Sequence, residues 1–177
     1  MTKKIEIIIG GSGGQGVVLA GQILGKAVAY EGKKVLQTQS YGAEARGSLA
    51  RSEVIISDEK IGFPAVRKCD ILIAMNQESL NAHLSQLKDD GILVVDSTNV
   101  QKIPEKKAKI YKIPITETCR KIFGEATYAN MVMLGALTKI TRLVDGKTME
   151  KVIGETVPPK TLEPNLKAFQ KGQELIE

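Results

Sequence analysis

Short runs of β-branched and aliphatic residues alternate along the chain with longer segments whose apolar positions recur at helical spacing. "KIEIIIG", "KKVLQTQ" and "SEVIISD" read as strands. "CDILIAMN" and "GILVVDST" are continuous apolar runs of the kind covered on both faces of a parallel sheet. "AKIYKIP" alternates more and reads as an edge strand. Helices lie between them. "GQGVVLAGQILGKAVAYEG" is small and apolar nearly all round, which suits tight packing on a sheet, with Gly32 as its stop. Leu80, His83, Leu84 and Leu87 recur at i, i+3, i+4, i+7, which predicts a helix capped by Asn76 and ended at Gly91. Met133, Leu137, Ile140 and Val144 mark another stripe, and "GKTMEKVIGETVPP" and "TLEPNLKAFQKGQELIE" read as two more helices. Alternation at βαβ spacing predicts an α/β fold: a doubly wound, mostly parallel, Rossmann-like sheet flanked by helices, with a helical C-terminal third on the same core. No repeat or linker divides the 177 residues, so one domain is expected over 1–177.

Composition narrows the chemistry. Aromatics make up 4% of the chain and Trp is missing, which argues against a base-stacking nucleic-acid surface. The net charge of +5 is spread through mixed stretches such as "QKIPEKKAKIYK", as on a solvated lysine-rich surface, so no nucleic-acid partner is expected. No apolar run approaches the roughly 20 residues of a membrane helix, and "MTKKIEIIIGG" lacks a secretory h-region. A cytoplasmic protein without membrane attachment is expected. Cys69 and Cys119 are far apart and in no CxxC pair, so the chain supplies neither a zinc nor an iron–sulfur site. Cys119 shares a helical face with Ile115, Ile122 and Phe123 and reads as core. His83 is the only histidine and sits on a leucine stripe, which leaves no Ser–His–Asp or Cys–His arrangement.

"GGSGGQG" follows the first strand and opens the first helix, so Gly11, Gly13 and Gly16 satisfy G-x-G-x-x-G in the required context. Gly11 would permit the tight turn, Gly13 and Gly14 a close approach of backbone to an anion, and Gly16 the contact of helix and strand. A dinucleotide site also needs an acidic residue after the second strand. Gln37, Thr38, Gln39 and Ser40 stand there instead, so NAD is disfavoured, and Arg46 is too far along for the usual NADP site. Neither the Lys nor the Ser/Thr of a Walker A loop is present. Two readings stay open: a cradle for a phosphate or carboxylate, or glycines that serve packing alone. "QTQSYGAEARGSLARSE" emerges at the same sheet edge and offers Tyr41, Gly42, Glu44, Arg46 and Gly47. Arg46 can pair with a phosphate, with a partner's carboxylate, or with Glu44 on the surface. Asn76, Asp96, Ser97 and Thr98 end later strands at that edge.

Together, "GGSGGQGVVLAG" and "TQSYGAEARGSLARSEVIISD" resemble the gamma subunit of the 2-oxoacid:ferredoxin oxidoreductases, most closely the 2-oxoglutarate branch. The resemblance continues through "CDILIAMNQES", "GILVVDST" and "ATYANMVMLGAL". Ala43 stands where the pattern has proline, and Ser48 where it has a second glycine. The resemblance implies a non-redox subunit of a hetero-oligomer with alpha, beta and delta partners, which passes electrons to ferredoxin and makes acyl-CoA from a 2-oxoacid. It places thiamine diphosphate, Mg and the iron–sulfur clusters in the partner subunits and leaves coenzyme A for this one. The binding residues implied are Gly11, Gly13, Gly14, Gln15, Gly16, Tyr41, Gly42, Glu44, Arg46 and Gly47, with no catalytic residue. A pyruvate- or 2-oxoisovalerate-type subunit, a stand-alone nucleotide-binding oxidoreductase and a pure assembly scaffold are the alternatives.

Overall fold

The computed structural model describes residues 3–43 and 47–177. Its strands are β1 (Lys4–Ser12), β2 (Lys34–Tyr41), β3 (Leu49–Ser57), β4 (Cys69–Ala74), β5 (Leu87–Asp96) and β6 (Lys109–Ile113). Its helices are α1 (Val17–Tyr30), α2 (Gln77–His83), α3 (Ile115–Phe123), α4 (Ala129–Thr141), α5 (Gly146–Thr156) and α6 (Leu162–Glu174). The six strands form one sheet in the order β2-β3-β1-β4-β5-β6. The expected α/β class and edge position of "AKIYKIP" are found. The sheet is mixed, however: β3 runs antiparallel to both β1 and β2, while the pairs β1–β4, β4–β5 and β5–β6 are parallel. The link from Tyr41 to Leu49 is too short for the crossover of a dozen or more residues that a parallel pair needs, so it closes a hairpin.

Period-two alternation decides which core each strand residue enters. Ile7, Ile9, Val54, Ile56, Ile71, Ile73 and Val94 join α1 and α3–α6 on one face. Ile8, Ile55, Leu72, Leu93 and Val95 join Leu80 of α2 and the loop residues Val66 and Val100 on the other. One face is therefore deep and the other thin. On the deep face, α4 is buried from Ala129 through Thr138, so the stripe read from the sequence is a helix buried on every side over that span. It meets α6 backbone to backbone: a Cβ on Gly135 would overlap the Phe169 carbonyl, and one on Gly172 the Val132 carbonyl.

The helix expected to run to Gly91 is shorter. It ends at His83, passes through a 3-10 turn at Leu84–Gln86, and Leu87 already opens β5. Gly91 lies inside that strand, where a Cβ would sit 2.6 Å from Leu87 Cδ1 and 2.8 Å from the Asp70 carbonyl. Its role is close approach, not helix termination. Cys119 is fully buried, as its helical face implied. Among the described residues, no helix is long and apolar enough to cross a membrane.

Candidate functional site

The chain reverses its direction of travel across the sheet between β1 and β4. From β1 it moves through α1 to β2 on one side; from β4 it moves through α2 to β5 on the other. Open α/β sheets bind ligands in the crevice at such a point, outside the carboxyl ends of the strands. Here that crevice is a cavity of about 670 Å³. Its near wall is Ser12, Gly14 and Gln15; its far wall includes Asn99, Thr116 and Arg120.

The near wall is the glycine-rich turn. Gly11 is still within β1, paired with Ala50, so it does not make the turn. Its missing Cβ leaves space for Gln15 Oε1 and Val17 Cγ1, which would lie 2.7 and 2.8 Å from it. Gly13 donates its N–H to the Ser48 carbonyl at 2.8 Å, tying the turn to the β2–β3 loop. Gly16 does not bring helix and strand together. It is the N-cap of α1 with φ 72°, and a Cβ there would overlap the Asn130 amide of α4. No side chain caps α1, and its first turn holds no acidic residue. That end is electropositive.

Gln15 turns back into the loop. Its Oε1 accepts from Ser12 N–H at 2.7 Å and Ser12 Oγ–H at 3.0 Å, and its Nε2 donates to the Met75 carbonyl at 3.2 Å. Asn76 caps α2, accepting from Ser79 N–H at 2.8 Å, and also donates to Ser12 Oγ and Gln15 Oε1. The helix-cap role read from the sequence is present, and a link to the turn is added.

The far wall hangs on Asp96, which is fully buried. The Thr116 hydroxyl donates to its Oδ2 at 2.5 Å and Asn99 Nδ2 at 3.1 Å, while Thr98 N–H reaches Oδ1 at 3.1 Å. Thr116 N–H also donates to this carboxylate at 3.2 Å. Asp96 thus fixes the first turn of α3 from outside the helix, the anion a helix start favours.

The end of β2 and the start of β3 form a second wall on the other side of the turn. A cavity of about 220 Å³ there is lined by Gly13, Gly14, Gly16, Val18 and Tyr41. The structure therefore brings Tyr41 to the glycine-rich turn, with its side chain largely exposed. Gly42 donates its N–H to the Leu49 carbonyl at 2.8 Å and closes the hairpin, and Gly47 precedes Ser48. Glu44 and Arg46 lie outside the described residues. Ser12 and Gly14 line both cavities, so the turn stands between the two.

Sequence reasoning overlooked Asn99, Thr116 and Arg120. Two signals point to them: Asn99 follows directly on the "DST" that ends a strand at the ligand edge, and Thr116 and Arg120 are i,i+4 neighbours on one helix face. Arg120 makes no ion pair or side-chain hydrogen bond with a described residue, and neither does Glu78 on the α2 side of the cavity. The thiols are not part of the site. Burial pushes Cys69 up to about 12 and raises Cys119. Among the described residues, no group of three or more His, Cys, Asp or Glu is placed to hold a metal.

The family model described as pyruvate ferredoxin/flavodoxin oxidoreductase matches residues 6–175. The chain belongs to that family. It is 47% identical over 175 residues to the 2-oxoglutarate synthase subunit KorC of Methanocaldococcus jannaschii, covering 97% of this chain and 94% of that one. Among solved structures it resembles the gamma subunit of a keto/oxoacid ferredoxin oxidoreductase from Geobacter sulfurreducens, with 41% identity, a TM-score of 0.85 and 96% of each chain covered. It also resembles part of the 2-oxoglutarate:ferredoxin oxidoreductase from Magnetococcus marinus, solved with 2-oxoglutarate, coenzyme A and succinyl-CoA bound. There the identity is 27% and the TM-score 0.87, with 98% of this chain but 31% of the other covered. The resemblance read from the two sequence motifs agrees with all three.

Proposed function

We propose that residues 1–177 form one gamma-type domain of a cytoplasmic 2-oxoglutarate:ferredoxin oxidoreductase, without catalytic activity of its own. The chain works with alpha, beta and delta subunits. They hold thiamine diphosphate, Mg and the iron–sulfur clusters, cleave the 2-oxoacid and reduce ferredoxin; this chain completes the site of coenzyme A. The observation that carries the reading is the uncapped N-terminus of α1, free of acidic residues, between two cavities and beside Tyr41. Backbone N–H groups at a helix start suit phosphate, and Arg46 in the adjoining loop adds a fork that can hold two phosphate oxygens. The residues assigned to coenzyme A are Gly11, Gly13, Gly14, Gln15, Gly16, Tyr41, Gly42, Glu44, Arg46 and Gly47. Gly11 and Gly13 act through the shape of the turn, because the structure gives them packing and loop-tying roles.

The test is reconstitution. Partner subunits without this chain should make little succinyl-CoA from 2-oxoglutarate, and adding it should restore the reaction; turnover by the isolated chain would refute the reading. Arg46→Ala should leave the complex assembled and raise KM for coenzyme A about tenfold or more. The exposed Tyr41 at the end of the edge strand β2 favours a second role for the loop that follows it, contact with a partner subunit. Dissociation of the Arg46→Ala complex would make that the dominant role.

A further inference from the structure

The geometry points to the far wall of the larger cavity as a phosphate-ester site, in which Arg120 holds a phosphate and Asn99 Oδ1 accepts from a hydroxyl beside it. The orientation of the Asn99 amide is fixed by its neighbours. Its Nδ2 faces the Met75 carbonyl at 3.3 Å, Asp96 Oδ2 at 3.1 Å and Thr116 Oγ1 at 3.1 Å. The carbonyl and the carboxylate can only accept, and the Thr116 hydroxyl has already directed its proton to Asp96. All three neighbours therefore require the NH₂ end. The amide oxygen is left over, makes no hydrogen bond with a described residue, and belongs to a side chain that lines the cavity.

Arg120 supplies the opposite chemistry. It lines the same cavity on the exposed side of α3, one turn beyond Thr116, with its guanidinium unpaired among the described residues. A lone unpaired guanidinium facing a cavity favours a phosphate or carboxylate. Glu78 across the cavity narrows the choice. Its carboxylate repels an anionic group held on the α2 side of the cavity and leaves the Arg120 end for one. A phosphate monoester on a sugar meets all three conditions, with the adjacent hydroxyl as the donor for Asn99. The volume of about 670 Å³ is in the range that encloses a ligand of this size.

This assignment rests on the coenzyme A reading, because the ribose of that molecule carries a phosphate next to a free hydroxyl. The diphosphate would lie at the α1 N-terminus, and the phosphorylated ribose would reach past Gly14 to Arg120 and Asn99. Arg120 and Asn99 are then specificity-determining residues, and Asp96 is a positioning residue that acts through the Asn99 amide.

The test compares coenzyme A with dephospho-coenzyme A, which differs only at that phosphate, in the assembled enzyme. Wild-type complex should prefer coenzyme A in kcat/KM by about ten- to a hundredfold. Arg120→Gln should abolish most of that preference by raising KM for coenzyme A alone, and Arg120→Lys should keep part of it. Arg120 is exposed, so these variants should fold. Equal loss for the two substrates in Arg120→Gln, an unchanged preference, or no preference in the wild type would each overturn the assignment. If Arg46→Ala still raises KM for both substrates, the coenzyme A reading survives that failure.

Discussion

The two walls of the central cavity are built on opposite terms. The near wall carries the recognisable G-x-G-x-x-G pattern, yet many of its polar groups are satisfied within the protein: Ser12 N–H by Gln15, Gly13 N–H by Ser48, Gln15 Nε2 by Met75. The far wall has no recognisable pattern, yet it leaves Asn99 Oδ1 and Arg120 unpaired among the described residues at the cavity. A glycine-rich turn is first a solution to a packing problem, and its ligand capacity is what remains, here the uncapped start of α1. The walls also rest on different buried charges. Beneath the near wall, Arg51 of β3 pairs with Glu53 and donates to Gln86 Oε1 at 2.8 Å, with His83 Nδ1 at 3.3 Å. Beneath the far wall stands Asp96 with its ring of donors.

Removing the anchor of the far wall should have the largest effect. Asp96→Ala strands Thr116 N–H and the Thr116 hydroxyl in a buried setting and also removes the acceptor of Thr98 N–H. Buried donors left without partners cost about 1–3 kcal/mol each, so urea denaturation should show a loss of about 3 kcal/mol or more. Asp96→Asn keeps the volume and an acceptor and should lose less. A loss below about 1 kcal/mol in Asp96→Ala would mean that the far wall does not depend on this residue.

Within the near wall, Gly14 and Gly16 can be set against each other. Both have left-handed backbone, φ 92° and 72°. A Cβ on Gly14 meets nothing within 4 Å, whereas one on Gly16 runs into Asn130 of α4. Gly14→Ala should therefore cost only backbone strain, about 1 kcal/mol, and Gly16→Ala about 2–3 kcal/mol, since overpacking is added. Thermal unfolding of the two variants measures the difference. Equal losses would show that α4 does not constrain the turn.

These contrasts explain what could be read from the sequence. The apolar runs and glycine punctuation are local signals, so the strands, most of the helices and the α/β class were legible. The direction of β3 was legible only through the short link from Tyr41 to Leu49. Three features depended on residues distant in sequence meeting in space. Gly16 meets Asn130, Gly135 meets the Phe169 carbonyl, and Asp96 meets Thr116 at 2.5 Å. No periodicity encodes such meetings. The glycine roles assigned by analogy to a dinucleotide loop failed for the same reason at Gly11 and Gly16: the pattern specifies small residues, and the fold decides which neighbour each one makes room for. The 3-10 turn after His83 escaped because Leu84 and Leu87 fit a helical stripe and a strand start equally well.

The smallest effect expected separates the walls by pH. The His83 pKa lies below its ordinary value of about 6.5, first because burial disfavours the cation and then because the Arg51 guanidinium repels it; the Gln86 bond and Glu53 act the other way. Its Nε2 is buried without a partner among the described residues, so a second ring proton would gain no acceptor from them there. Since the folded value is lower than the unfolded one, the unfolded chain binds more protons in the window below about 6.5, and stability falls as pH falls through it. Above that window the contribution is fully present. Urea midpoints should drop between about pH 7.5 and about pH 5.5, and His83→Gln should flatten the drop. Because His83 Cδ2 packs beneath Gly10, the loss should begin at the near wall. Hydrogen exchange at pH 5.5 should then rise in β1 and α2 before it rises around Asp96, and a uniform rise would place the acid-sensitive group elsewhere.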